Sequence, residues 1–464
     1  MKELFKGGVH PPDNKEATES LPVEDARLPD RVVIPMAQHI GASAKPTVKV
    51  GDLVKKGQKI GEAAGNVSAP VHASVSGKVI AGGMLFTSPM GFDVPAVVIE
   101  SDGLDEWVDG LVEHEDYMSM EPAKLLDIIR EAGIVGMGGA TFPTHIKLSP
   151  PKEKKVSVAI LNGAECEPFL TSDARLMEER PEEVIEGLKI IMSMLGVTEG
   201  YVGIEANKPR AIARMSEEAG KVACELMVDK HYDRSGLVTD VVGGCRMSVK
   251  VVPLEVKYPQ GSEKQLIKAV TGREVPPSHL PMDVGVVVQN VATAAAIYQA
   301  VRFGRPLIER IVTVTGPGIK DPRNLRVRLG TMFSDVIGQC GGLTDDATRV
   351  LMGGPMMGIA QPDLLVPVIK GTSGIVALTG KGELAPDSSP CIRCGRCIEA
   401  CPMGLNPALI SQLVEKGRFD EAVEQGIMDC FECGSCAFVC PSRRPVVHYA
   451  KWAKREIARK RQKA

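Results

Sequence analysis

Between Glu121 and Gly133, the apolar residues Leu125, Leu126, Ile128, Ile129 and Ala132 recur on one side of a 3.6-residue period. This predicts an amphipathic helix that the glycine stops. Upstream, from about Arg31 to Glu100, short apolar groups are broken by glycine turns. That pattern predicts short strands at Val48 to Val50, around Ile60, at Val71 to Val75 and at Lys78 to Ile80, with turns at Gly51-Asp52, Gly65-Asn66 and Ser76-Gly77. Further on, Val156 to Leu161 and Val284 to Val288 read as buried strands, and Lys257 to Lys264 as the opening of a helix. The stretch from Arg310 to Gly342 predicts a small module, strands first and then an amphipathic helix around Phe333 to Ile337. Leu409, Ile410, Leu413, Val414, Phe419, Ala422 and Val423 return to helical spacing near the C-terminus.

The chain has 464 residues with 44% hydrophobic content, room for three to four domains with real cores. A formal net charge of −3 gives no sign of a nucleic-acid partner. Met1 to Ser20 is polar and lacks the apolar core of a signal peptide. No window approaches 18 uninterrupted apolar residues, so the expectation is a chain that does not span a membrane and reaches one only through partners or surface contacts.

Cysteine spacing carries the most specific chemistry. Cys391-x-x-Cys394-x-x-Cys397-x-x-x-Cys401-Pro402 is repeated as Cys430-x-x-Cys433-x-x-Cys436-x-x-x-Cys440-Pro441. In such a pair, three thiolates wrap one corner of a cubane and the fourth Cys, followed by Pro, crosses to the other cluster. Cluster one is therefore assigned to Cys391, Cys394, Cys397 and Cys440, and cluster two to Cys401, Cys430, Cys433 and Cys436, each as a 4Fe-4S centre. Zinc prefers two CxxC knuckles and does not account for two complete copies of this spacing. Of the 12 cysteines, Cys166, Cys224, Cys245 and Cys340 remain outside the motifs. Thiolate ligation together with dispersed free Cys argues for a reducing compartment.

Other segments carry weaker signals. Gly136-Met137-Gly138-Gly139-Ala140-Thr141-Phe142 through Lys147 is a Gly-rich loop with Thr141 where a dinucleotide fingerprint needs its third glycine. It is either a plain tight turn or a cradle whose backbone approaches phosphate or a flat ring, with Lys147 as counter-charge. Asn162-Gly163-Ala164-Glu165-Cys166-Glu167 lies just past a strand's carboxyl end, where open α/β sheets place ligands, although a solvated loop reads the same way. The tail from Lys451 to Ala464 holds seven Lys or Arg against one Glu. It is either a frayed helix end or a contact for an acidic partner or anionic membrane surface.

The half-motifs Val50-Gly51-Asp52-Leu53-Val54-Lys55-Lys56-Gly57 and Ala69 to Val79 resemble the barrel-sandwich hybrid fold of lipoyl and biotinyl carriers. Ile60 to Gly77 contains no Lys, so the fold is expected in a structural or docking use. The Gly136 to Lys147 loop, the Asn162 to Pro168 loop, Tyr258 to Glu263 and Asn290 together resemble the flavoprotein subunit of respiratory complex I. With all modules in order, the chain resembles the C subunit family of the Rnf electron-transport complex, a ferredoxin:NAD oxidoreductase.

That resemblance implies a multidomain α/β protein. Its expected parts are an N-terminal arm (1–30), a β barrel-sandwich hybrid (31–115), an α/β FMN/NAD(H)-binding core (116–308), a β-grasp module of the soluble-ligand-binding type (309–380), and a helical two-cluster ferredoxin-like domain with a basic tail (381–464). It implies a non-covalent FMN and NAD(H) as substrate. Gly136, Gly138, Gly139 and Ala140 would form the nucleotide-side loop, Phe142 would stack near the nicotinamide or adenine, and Lys147 would contact FMN. Asn162, Glu165 and Glu167 would line the flavin and nicotinamide side, and Tyr258, Gly261, Glu263 and Asn290 would complete the pocket. Lys147, Glu165 and Glu167 are the expected catalytic groups.

Thr141 and His145 replace glycines of the complex I pattern, Ala164 an Asp, Cys166 a Ser and Ser262 a Glu. Cys166 is read either as redox-active or as a packed thiol, the latter favoured by the lack of an accompanying base or second Cys. The implied role is a peripheral subunit on the cytoplasmic face of the membrane, exchanging electrons between NAD(H) and other subunits, with a ferredoxin-type carrier reached indirectly. A free-standing cobalamin-reductase-type enzyme and a non-catalytic electron-carrying scaffold are the alternatives.

Overall fold

A computed structural model describes residues 5–225, 247–380 and 388–463. Cys245 and residues 381–387 of the predicted linker lie outside the described residues, as does the side chain of Cys224.

The centre of the molecule is a four-stranded parallel sheet in the order Ser248–Leu254, Glu199–Glu205, Val158–Gly163, Val286–Asn290. Val158 to Leu161 are all buried because helices cover both faces. One face meets Leu188, Ile191, Val291 and Ala294, the other Leu266 and Val270. The helices Pro181–Leu195 and Val291–Phe303 approach each other at Gly187, where an added Cβ would lie 2.0 Å from the Ala294 carbonyl oxygen. The predicted helix is present as Pro122–Glu131, and Gly133 follows it at φ +66°.

The barrel-sandwich module packs a four-stranded and a three-stranded sheet around Ile34, Ile60, Val75, Val79 and Ile99. Its strands differ from those predicted. Val48 to Val50 is not a strand: the Lys49 amide bonds Asp52 Oδ2 at 2.9 Å and Gly51 turns at φ +99°, leaving ladder pairing to Lys45–Pro46 and Leu53–Val54. The strand at Val71 ends at His72, since Ala73 to Val75 turn inward and Ser74 Oγ bonds the Leu329 carbonyl of the next module. Lys78 to Ile80 belongs to a long hairpin, Gly77–Ser88 with Phe92–Ser101.

The β-grasp module is a six-stranded mixed sheet with the helix Phe333–Gln339 against it. Its edge strand, Val23–Asp25, comes from the N-terminal arm and pairs in parallel with Arg323–Arg328. Residues 5–30 are therefore a strap across the molecule. Further along it, the buried Lys15 donates to the carbonyls of Glu165 at 3.0 Å, Glu167 at 2.9 Å and Leu170. The Gly8 amide reaches the Ala400 carbonyl at 2.9 Å, and Val9 pairs with Tyr258.

The cluster domain is helical, as its spacing predicts, with helices Pro407–Glu415, Phe419–Glu424 and Val446–Lys463. The basic tail belongs to the last of these. Ala450, Ala453 and Ile457 of this helix are buried and Trp452 meets Phe419 edge-on, so the first part of the tail packs on the cluster domain, while residues 458–461 are exposed.

Candidate functional site

Asn162 and Asn290 end adjacent parallel strands and stand opposite each other in register. Asn162 Nδ2 donates to the Gly261 carbonyl at 2.7 Å and its Oδ1 accepts the Ala164 amide at 3.1 Å. Asn290 Oδ1 caps the helix Val291–Phe303 by accepting the Ala292 amide at 2.9 Å, while Nδ2 donates to Asp173 Oδ2 at 2.7 Å. The Gly-rich loop lies over this carboxyl edge. Gly138 sits so near that an added Cβ would be 3.5 Å from Asn290 Cβ.

The loop is closed at its base and open at its tip. Gly136 N bonds the Phe142 carbonyl at 2.8 Å, Met137 N bonds Thr293 Oγ1 at 2.9 Å, and the buried Arg310 donates to the Met137 carbonyl at 3.0 Å. Gly138, Gly139 and Ala140 are left exposed, and Phe142 is half-buried beside the returning strand of the loop. Gly139 has φ +99° and Thr141 φ +50°, so Thr141 adopts the left-handed conformation a glycine usually supplies. Gly371 permits it: a Cβ there would meet Thr141 Cγ2 at 2.6 Å. Lys147 Nζ donates to Glu263 Oε1 and the Val288 carbonyl, both at 2.6 Å. These contacts bring Lys147, Asn162, Gly261, Glu263 and Asn290 together at the carboxyl edge of the sheet, with the loop from Gly136 to Ala140 over it, the candidate flavin crevice.

Three predicted residues are engaged elsewhere. Glu165 is buried and caps the helix Ser172–Glu179, accepting from Asp173 N at 2.9 Å, Ala174 N at 3.3 Å and Ser172 Oγ at 3.2 Å. Glu167 latches the loop at Met356 and Met357, whose amides donate at 3.0 and 2.8 Å. Burial pushes its carboxyl up to about 7 against those amides. Tyr258 Oη donates to the Cys433 carbonyl at 2.7 Å. Cys166 accepts the Gly261 amide at 3.3 Å and burial raises its pKa, the behaviour of a packed thiol.

Residues that no sequence motif marks hold the crevice in shape. Asp173, its pKa raised by burial and by neighbouring Glu165, fixes Asn290, and Arg310 fixes Met137. Both come from segments whose local pattern says nothing of this role. The Gln260 amide, Gln289 Nε2, Thr141 Oγ1 and Thr144 Oγ1 are buried without hydrogen-bond partners. Unsatisfied polar groups in the segments bordering a Gly-lined crevice fit a polar, phosphate-bearing flat ligand such as FMN.

The eight motif cysteines ring two separate cavities. Cys401, Cys430, Cys433 and Cys436 line one; Cys391, Cys394, Cys397 and Cys440 line the other. The two motifs share a backbone, with Arg393 and Glu432 at φ +57° and +64°, then Gly395 and Gly434 at +80° and +84°. Four thiols around each cavity, at the spacing of the two sequence motifs, suit a multi-atom cluster.

Family comparisons follow this layout. Residues 3–104 match the RnfC barrel sandwich hybrid domain, 129–299 the Nuo51 FMN-binding domain, 311–360 the SLBB domain and 384–447 the 4Fe-4S dicluster domain. The C subunit of the proton-translocating ferredoxin:NAD(+) oxidoreductase complex of Clostridium ljungdahlii is 49% identical, over 100% of this chain and 96% of its own length. This chain belongs to the Rnf C subunit family.

The C subunit of the Na(+)-translocating ferredoxin:NAD(+) oxidoreductase complex of Acetobacterium woodii is similar too, 45% identical over 99% of this chain and 98% of its own. An NAD+-reducing NiFe hydrogenase in the H2-reduced state shares the fold at 18% identity and a TM-score of 0.50, covering 73% of this chain and 61% of the hydrogenase chain. As an Rnf C subunit, the chain is an electron-transferring oxidoreductase component with an FMN-binding domain and a dicluster domain, part of a membrane-associated complex. No described helix is long and apolar enough to cross a membrane.

Proposed function

We propose that this Rnf C subunit exchanges hydride with NAD(H) at the crevice under Gly138 to Ala140, and passes electrons singly through its two cysteine-lined cavities to membrane partners at the cytoplasmic face. Lys147, Asn162, Gly261, Glu263 and Asn290 would hold FMN, and Phe142 would flank the nicotinamide nucleotide. FMN, when bound, supplies the conversion between a two-electron hydride and one-electron carriers. The chain's own residues set its surroundings. Lys147 places a positive charge in the crevice, Asp173 and Arg310 fix Asn290 and the loop, and Glu165 and Glu167 act as positioning residues through the helix cap and the Met356 latch.

The observation that carries this reading is the register of Asn162 with Asn290 beneath the loop. The Tyr258 contact with Cys433 and the burial of that cysteine support the cluster-two cavity as the inner station. The exposure of Cys394 and Ile392 supports the cluster-one cavity as the outer one. The test is anaerobic purification of the wild type and Lys147→Met. The expected result is full iron in both, flavin bleached by NADH in the wild type, and flavin content at least fivefold lower in the variant. Full iron with no flavin in the wild type, and no response to NADH, would leave an electron-carrying scaffold instead.

A further inference from the structure

Beside Met137 and Asp173, a cavity of about 290 Å³ opens where three modules meet. That is near the lower end for small-molecule pockets, about 300 Å³. Its walls carry six cations: Lys56, Arg180, Arg305, Arg310, Arg326 and Arg328. Only three carboxylates, Asp173, Glu183 and Glu309, share the lining.

Some of that charge is already matched. Arg328 pairs with Asp105 at 2.8 Å and Glu309 at 3.2 Å, Lys56 with Asp105, Arg180 with Glu183, and Arg326 Nη1 with Asp25 at 3.2 Å. What remains is donor capacity. Arg326 Nε is buried without a hydrogen-bond partner, 3.9 Å from Glu309. The guanidinium of Arg305 lies over Trp107 and Phe303, at 5.7 and 5.1 Å from their ring centroids, and it makes no ion pair among the described residues. A buried donor left without a partner is destabilising, and an incoming anion would relieve it.

Apart from Ser172 and Gln299, the rest of the lining is apolar. Ala292, Ala295 and Ala296 present a face of small side chains along the helix Val291–Phe303, with Leu176 and Leu307 beside it, and Trp107 adds an aromatic surface. Forked guanidinium groups beside a flat apolar floor match an organic phosphate with a planar body. We infer that this junction is a binding site, distinct from the flavin crevice, for a phosphate-bearing planar metabolite of the nucleoside monophosphate class. Met137 and Asp173 line it as well, and they are the residues that join the Gly-rich loop to Thr293 and Arg310 and hold Asn290. An occupant therefore touches residues that hold the flavin cradle.

The test is calorimetric titration of the anaerobically purified, flavin- and cluster-loaded full chain with AMP, adenosine and inorganic phosphate, each with and without saturating NAD+. One AMP per chain is expected, with adenosine and phosphate at least tenfold weaker and AMP affinity unchanged by NAD+. Arg305→Ala, which removes charge, and Ala296→Leu, which fills the floor, should each weaken AMP at least tenfold while iron, flavin and NADH bleaching stay as in the wild type. Absence of AMP binding, phosphate binding as tight as AMP, displacement of AMP by NAD+, or unchanged binding in both variants would overturn the assignment. Flavin absorbance and bleaching, read before titration, report separately on the flavin reading.

Discussion

Tyr258 and Cys433, 175 residues apart, are joined by a 2.7 Å hydrogen bond from the phenol to the backbone carbonyl. The bond ties the segment that borders the flavin crevice to a cysteine of the cluster-two cavity. Tyr258 is only 2% exposed, so water cannot replace it.

Tyr258→Phe keeps the ring and removes the donor. Its loss should cost about 1 kcal/mol and leave iron content unchanged. It also removes a positive dipole end near cluster two, so that centre should become harder to reduce, by tens of millivolts, on the order of the same energy for one electron. An EPR-monitored redox titration should show one of the two potentials moving to more negative values and the other unmoved.

The crossed ligand sets make a paired prediction. Cys440→Ser should remove the same EPR signal as Cys391→Ser, although the two residues lie in different motifs, and Cys401→Ser the same signal as Cys430→Ser. Each variant should lose about half its iron. A signal lost in common by Cys401→Ser and Cys391→Ser would restore uncrossed ligation.

Gly187 is a packing requirement. A methyl group there would sit 2.0 Å from Ala294 O, a backbone atom that can move only with its helix. Overpacking of this kind costs about 1–3 kcal/mol or more, and here the displaced helix is the one capped by Asn290. Gly187→Ala should lower the melting temperature and weaken flavin retention together, while iron content in the separately packed cluster domain is kept.

Lys370 is wholly buried. It donates to the carbonyls of Pro70 at 2.9 Å and Gly133 at 2.6 Å, and burial pushes its pKa down to about 7. Because the folded value lies below the unfolded one, the unfolded chain binds more protons between pH 7 and the ordinary lysine range. The cost of burying the charge is thus fully present below pH 7 and is relieved as pH rises above it, with a slope of up to about 1.4 kcal/mol per pH unit. The stability difference between wild type and Lys370→Met, measured by denaturant unfolding at pH 7 and pH 9, should move in favour of the wild type at the higher pH. A pH-independent difference would show that the ammonium stays charged.

Much of this was legible along the chain because the chemistry is local. Cysteine spacing of two and three residues dictates which thiols can share a cluster corner, and the Gly133 stop, the Gly-rich loop and the helical repeats near the C-terminus express backbone preferences within a few residues. The short strands of the barrel-sandwich module were less legible. Their pairing depends on turn geometry such as Lys49 with Asp52, and a strand of two residues has no period to read.

The order of modules could be read from the order of residues, and the proposed cluster ligand sets and flavin crevice rest on the same spacing and residue types. Where the side chains of those segments went was settled only by folding. Glu165 met three unpaired donors at the start of a helix and became a cap, and Glu167 met two amides 189 and 190 residues away and became a latch. The N-terminal residues met an open sheet edge and became its outer strand. A carboxylate or a strand edge pairs with the nearest unmet partner in space, and that distance is not written in the order of residues.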